Sequence, residues 1–175
     1  MFRSARISDD GRHRLMLVRW LDTQCTARCC EGGPTVTPGY VAWVMNNPST
    51  ADGLVDDATV RKIWRVTRIM GYNMMYVVNT SCYRSTDPTK AIVLTEDEAR
   101  VNDHWLQMVH RQSALTVCAW GDKANETLVS RTVRLLQPMG PLWCLRETKA
   151  GNPQHPLYLP DACMPKPWKP TKWAN

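Results

Sequence analysis

The chain of 175 residues has no apolar window approaching the roughly 18 residues that a membrane span requires, so a helical transmembrane protein is excluded and no membrane partner is expected. A signal-like apolar N-terminus is also missing. With seven cysteines, an odd number scattered at 25, 29, 30, 82, 118, 144 and 163, the chain reads as the product of a reducing cytoplasm rather than a disulfide framework. Paired Cys-x2-Cys spacing is lacking: Cys25, Cys29 and Cys30 form Cys-x3-Cys-Cys, and the four histidines supply no completing pair. Neither a metal nor another cofactor is therefore expected. Cys82, Cys118 and Cys144 fall inside apolar runs and read as small buried hydrophobes. Phenylalanine is scarce, one residue against eight tryptophans, in a composition otherwise ordinary for a globular protein.

The length suits one domain with a real core, 1–175, and no obligate protein partner is evident. Acidic residues are absent from 164–175, where Lys166, Lys169 and Lys172 stand. Residues 1–20 carry Arg3, Arg6, Arg12, Arg14 and Arg19 against Asp9 and Asp10. These two basic ends account for the formal net charge of +6 and leave the middle neutral. Such a distribution suits a polyanion such as DNA or RNA, while solvated termini explain the same count.

Strand-like and helix-like stretches alternate along the body. Residues 14–20, 40–46, 73–79, 114–120 and 141–146 read as strands, and 23–39 as a loop. After the second strand, Val60, Ile63, Trp64, Thr67 and Met70 repeat at helical spacing, with Asp56 or Asp57 to cap the start and Gly71 to end it. Thr95-x-x-Glu98 is a capping box opening a helix to about Gln112, with Val101, Trp105, Met108 and Val109 on one face. A third helix is expected over 122–137. The alternation predicts an α/β domain with a mostly parallel central sheet, whose ligands bind beyond the carboxyl ends of the strands.

Four strand ends carry polar or turn-forming residues. The first core strand runs into Asn46-Asn47-Pro48-Ser49-Thr50, with Asp52 beyond; the next closes on Asn79. The third ends in Trp120-Gly121-Asp122, and the last is followed by His155, between Pro153 and Pro156. Singly, each suits an ordinary turn. Together they predict a pocket in which an asparagine carboxamide pairs with the edge of a nucleobase and a histidine donates to an anionic oxygen.

The order of "MNNPSTAD", "VVNTSCYR", "CAWGDKAN" and "QHPLYLP" across 41–160 resembles the uracil-DNA glycosylase superfamily. That superfamily has an Asn-Pro or Asp-Pro motif after a strand, an asparagine closing a second strand, a Trp-Gly turn and a late His-Pro motif. "NPSTADG", "VVNTSCYRSTDP" and "LRETKAGNPQHPLYL" also resemble a bacterial and phage family catalogued as a domain of unknown function. The superfamily resemblance implies a three-layer α/β/α fold and a DNA glycosylase, a hydrolase cutting the N-glycosidic bond of a flipped base. By the same resemblance Asn47 positions water at the sugar, Asn79 reads the base beside Trp120, and His155 stabilises charge on the departing base. The chain departs from the fastest branch in lacking Asp-Pro-Tyr-His, so a carboxylate base is missing there and only Asp52 stands near enough to substitute. The tyrosine that excludes bulky pyrimidines also lacks an equivalent, which opens the site to a larger or modified base.

Other features fit DNA and equally fit ordinary structure. Tyr83 suits stacking and Arg84 with Ser85 suits phosphate, or the three belong to a polar loop. Leu157 or Tyr158 suits a wedge in an emptied base stack, or core. Lys166, Lys169 and Lys172 alternate with Trp168 and Trp173 in a tail that lies along a DNA backbone or packs on its own domain. Two other functions remain: a non-catalytic nucleic-acid-binding protein of this fold, and an enzyme of free nucleosides or nucleotides.

Overall fold

The continuous apolar runs become the centre of a sheet. In the computed structural model, which describes residues 1–21, 39–49, 51–85 and 94–173, β3 (Val41–Met45) is buried at every position. It pairs in parallel with β4 (Met74–Asn79) on one side and β5 (Leu115–Cys118) on the other. A further parallel strand, β6 (Leu142–Cys144), lies beside β5. Strands buried on both faces need no hydrophobic alternation, which is why these segments read as unbroken apolar runs.

Antiparallel strands close both edges. β1 (Phe2–Ile7) pairs with β2 (Arg14–Trp20), which pairs with β4; at the far edge β7 (Lys166–Trp168) pairs with β6. The order is β1-β2-β4-β3-β5-β6-β7, so the sheet is mixed, with four parallel strands between antiparallel margins. The expected parallel sheet is its centre, and the antiparallel margins are an addition to it. The N-terminal residues and the Pro-rich tail had no strand signal of their own, and both edges are supplied by pairing with strands already in place.

Helices cover both faces. α1 (Ala58–Ile69) starts at Asp57, whose carboxylate accepts the Val60 N–H, and ends before Gly71, which takes the left-handed conformation at φ 86°. Its Ile63 and Val66 pack with Trp43, Met75 and Val77. On the opposite face, α2 (Glu96–Gln112) and α3 (Glu126–Leu136) set Leu106, Val109 and Val133 against Val44, Val78 and Cys118. The Thr95–Glu98 capping box is formed. The buried face of α2 centres on Asn102, Leu106 and Val109; of the expected stripe Val109 is buried and Met108 packs against the core, while Val101 is exposed. Cys82, Cys118 and Cys144 are buried, and burial pushes the Cys82 thiol up to about 12.

The connection from β3 to β4 runs through α1 on one face, and that from β4 to β5 through α2 on the other. The helices that lead to β3's two neighbours therefore lie on opposite faces of the sheet, which opens a crevice at the carboxyl ends of the strands.

The tail folds back on the domain. Trp168 and Trp173 are buried among α2, α3 and the sheet, with Trp168 edge-on to Trp120 at 5.4 Å. Cys25, Cys29, Cys30 and almost all of the loop expected over 23–39 lie outside the described residues.

Candidate active site

The loops after β3 and β4 are stitched to each other before either reaches solvent. The Thr80 N–H donates to the Met45 carbonyl at 2.9 Å and the Ser81 N–H to that of Asn46 at 3.0 Å, extending the ladder beyond the strands. Further on, Ser85 N–H donates to the Pro48 carbonyl at 2.9 Å, while Asn47 Nδ2 donates to the Ser85 carbonyl at 2.7 Å. This bond fixes the Asn47 carboxamide with its oxygen as the end that accepts. Proline at 48 suits the turn because its missing N–H is not needed and its φ is preset.

Asn79 closes β4 at 0% exposure. Its main chain is anchored, because Asn102 Nδ2 from α2 donates to the Asn79 carbonyl at 3.1 Å. Its side chain is not: among the described residues neither Nδ2 nor Oδ1 has a hydrogen-bond partner. Buried carboxamides are normally satisfied, and leaving one unpaired costs about 1–3 kcal/mol per group.

His155 is held from two sides. Gly121 takes φ 77°, and a Cβ there would stand 3.2 Å from the His155 Cβ, so both the turn and the close approach require glycine. Gly121 N–H donates to the Pro153 carbonyl at 2.8 Å. Asp122 Oδ1 accepts from Thr148 Oγ1 at 2.6 Å and from Asn152 Nδ2 at 2.8 Å, tying down the loop that carries Pro153 and His155. His155 Nδ1 accepts the Leu157 N–H at 3.4 Å, so in the neutral ring the proton sits on Nε2 as a donor. Burial lowers the His155 pKa, with the nearby Asp57 carboxylate opposing, and the ring is neutral at pH 7.

These pieces line one cavity of about 470 Å³, a volume within the range of small-molecule sites. Asn47, Asn79, Trp120 and His155 share it, with Ser85 on one wall and Leu157 and Tyr158 at its rim. Leu157 is 43% exposed and Tyr158 is 77% exposed, so neither is core. Lys62 of α1 donates to the Leu159 carbonyl and pairs with Asp161, which also holds Arg65 at 2.8 Å, so the rim segment is clamped to the helix.

Six residues with expected site roles stand elsewhere. Asp52 does not line the cavity; its Oδ1 accepts from the Val55 and Leu54 N–H groups at 2.9 and 2.7 Å, which hold its carboxyl below the usual range. Tyr83 packs edge-on against His13 at 5.7 Å, and Arg84 Nη1 donates to the Gly11 carbonyl at 3.1 Å. In the tail, Lys166 pairs with Glu147 at 3.4 Å, Lys172 pairs with Glu126 at 2.6 Å, and Lys169 is exposed away from the cavity. In the basic N-terminal segment Arg14 and Arg19 are buried, and Arg12 pairs with Asp10 at 2.6 Å.

Two charged residues that do line the cavity had been read only as part of a basic segment and as a helix cap: Arg14 and Asp57. Asp57 receives the Ser49 hydroxyl on Oδ2 and the Val60 N–H on Oδ1 at 2.7 Å, so its carboxylate is oriented by both the Asn-Pro loop and α1. The signal available for it was position, the first residue before a helix that follows the Asn-Pro turn. Burial lowers the Arg14 guanidinium to about 10, chiefly opposed by Asp57.

Among the described residues, no group of three His, Cys, Asp or Glu side chains could hold a metal ion, and no helix is long and apolar enough to cross a membrane. A family model described as a protein of unknown function (DUF1643) matches residues 32–157. No curated protein and no solved structure matches.

Proposed function

The chain belongs to the DUF1643 family of proteins of unknown function, and we propose that it hydrolyses the N-glycosidic bond of a base, modified or bulky, turned out of DNA into the cavity at the ends of the parallel strands. The observation that carries this reading is Asn79, a fully buried carboxamide on the cavity wall with both polar atoms unpaired. A base edge presenting one donor and one acceptor would satisfy both atoms at once. The likeness to the uracil-DNA glycosylase superfamily gains support from helices on both faces of a parallel core and from the shared cavity of the Asn-Pro, Asn, Trp-Gly and His-Pro motifs.

In this mechanism Asn79 pairs with the base and Trp120 walls the pocket. Cleavage places positive charge on the sugar and negative charge on the base. Neutral His155 donates from Nε2 to the base oxygen where that charge collects, a contribution of about 2–4 kcal/mol to the barrier. Asp57, rather than Asp52, serves as the carboxylate: held by Ser49 and the Val60 N–H, it accepts the proton of the attacking water, which the Asn47 carbonyl oxygen orients. Leu157 and Tyr158, exposed at the rim, fill the gap left in the base stack. The free thiols of Cys82, Cys118, Cys144 and Cys163 suit a reducing cytoplasm.

The test is release of base from single- and double-stranded oligonucleotides carrying different modified bases, read as alkali-labile abasic sites. Asn47→Ala and His155→Ala should each lower release by roughly 100-fold or more. Salt-sensitive binding with no release from any substrate would turn the reading to a non-catalytic DNA-binding protein, and release from free nucleosides alone would remove DNA as the partner.

A further inference from the structure

Two arginines of β2 are buried, and they are treated differently. Arg19, 0% exposed, is neutralised: its Nε and Nη2 reach Asp56 Oδ1 at 2.7 and 2.5 Å, Nη2 also donates to the Asp52 carbonyl at 2.7 Å, and Nη1 donates to the Val18 carbonyl at 2.8 Å. Arg14, 3% exposed, has one bond, from Nη1 to the Ala51 carbonyl at 2.7 Å. Among the described residues its Nε has no partner, and it makes no ion pair with a carboxylate. Asp57 acts on it through space, without a salt bridge.

Burying a cation forfeits its hydration, and proteins meet that loss with a counter-ion and hydrogen bonds, as Arg19 illustrates. Arg14 lines the cavity that holds Asn79 and His155. A guanidinium with an unpaired Nε–H is shaped for the two oxygens of a carboxylate or phosphate. We propose that Arg14 is an oxyanion seat in the cavity wall, and that the ligand brings a phosphate or carboxylate into the cavity together with its base. This inference rests on the base reading of Asn79, and it narrows the ligand to one that is anionic beside the base. A nucleotide's own phosphate and an acidic substituent on the base both meet that description.

Binding of matched pairs to the full-length chain separates the possibilities: thymidine against thymidine 5′-monophosphate, and uracil against 6-carboxyuracil, by calorimetry and thermal shift. At least one anionic member should bind tenfold or more tighter than its neutral partner; the thymidine pair identifies a sugar phosphate, the uracil pair a base carboxylate. Arg14→Gln, which keeps a donor toward Ala51, should abolish the preference and leave the neutral ligand within twofold. Arg14→Lys, which keeps the charge but loses the Nε–H edge, should reduce the preference and serves if the glutamine variant does not fold. Equal affinity within both pairs, or a preference that survives both substitutions, overturns the oxyanion seat. Asn79→Ala should weaken both members of a pair alike. Indifference to Asn79→Ala with an Arg14-dependent preference would refute the base reading and uphold the anion seat; the opposite pattern would do the reverse.

Discussion

Replacing Asn79 by leucine should make the protein more stable and less able to bind a base. Asn79 is 0% exposed with both side-chain polar atoms unpaired, while its backbone is fixed independently by Asn102. Two apolar methyl groups in place of the carboxamide remove an unsatisfied donor and acceptor, and the neighbouring 470 Å³ cavity accepts the added volume without overpacking. The expected gain is about 1–3 kcal/mol, read as roughly 2–4 °C in Tm for each kcal/mol at this chain length. Base affinity should fall by about 2–4 kcal/mol, roughly 30- to 1000-fold, because the base atoms facing position 79 would then be the unpaired ones. Scanning calorimetry and titration with nucleosides on the same preparations measure both quantities. A loss of stability would mean that the carboxamide is structural, and a stabilised variant that binds bases undiminished would remove Asn79 as the base reader.

Four further outcomes are expected. Asp57→Asn should cut base release roughly 100-fold or more, the size of a lost general base, with little change in Tm because asparagine caps a helix as well as aspartate; Asp52→Asn should leave release within about twofold, and the reverse order would exchange their roles. Gly121→Ala forces a side chain into a left-handed conformation at about 1–2 kcal/mol and against the His155 Cβ, so it should lower both Tm and release, and its effect on release should vanish in a His155→Ala background. Burial lowers the pKa values of His155 and His110 below their unfolded values. Their neutral forms therefore contribute stability that is present above about pH 6.5 and lost as the pH falls through the folded values; in a His155→Gln variant this acid loss of stability, read as Tm against pH, should shrink, and a variant that keeps it in full would refute the assignment to His155. Trp168→Ala should destabilise the fold by about 3–5 kcal/mol, as judged by denaturant unfolding, whereas a tail serving only to contact DNA would leave stability unchanged.

The reach of the site depends on how Pro153 and Pro156 are used. Flanking prolines stiffen the backbone around His155, yet its position is set by partners more than 20 residues away in sequence, Gly121 by its lack of a Cβ and Asp122 by its two hydrogen bonds. Rigidity of this kind suits a donor that must not reorganise as charge develops on a base.

The central strands, the three helices and the caps of α1 and α2 were legible in the sequence because each rests on a local signal: an unbroken apolar run, a helical repeat, or a side chain three residues from the N–H it accepts. The strand-end motifs were legible too, since a parallel sheet delivers such ends to one side whatever their spacing in the chain. What belonged to tertiary structure was the choice among chemically equal residues. Asp52 and Asp57 are five positions apart, and which carboxylate enters the cavity depends on one closing a turn while the other caps α1 and receives Ser49. Arg14 and Arg19 share a strand, and only their neighbours decide that one is neutralised by Asp56 while the other is left with an unpaired Nε. The lysine and tryptophan tail could face solvent or core, and pairing with β6 turned Trp168 inward. Sequence alone thus determined an α/β domain with polar groups gathered at its strand ends, because periodicity and turn chemistry act over a few residues. Burial and charge pairing depend on partners far apart in the chain, so only the folded structure decided which of those groups face the cavity unpaired.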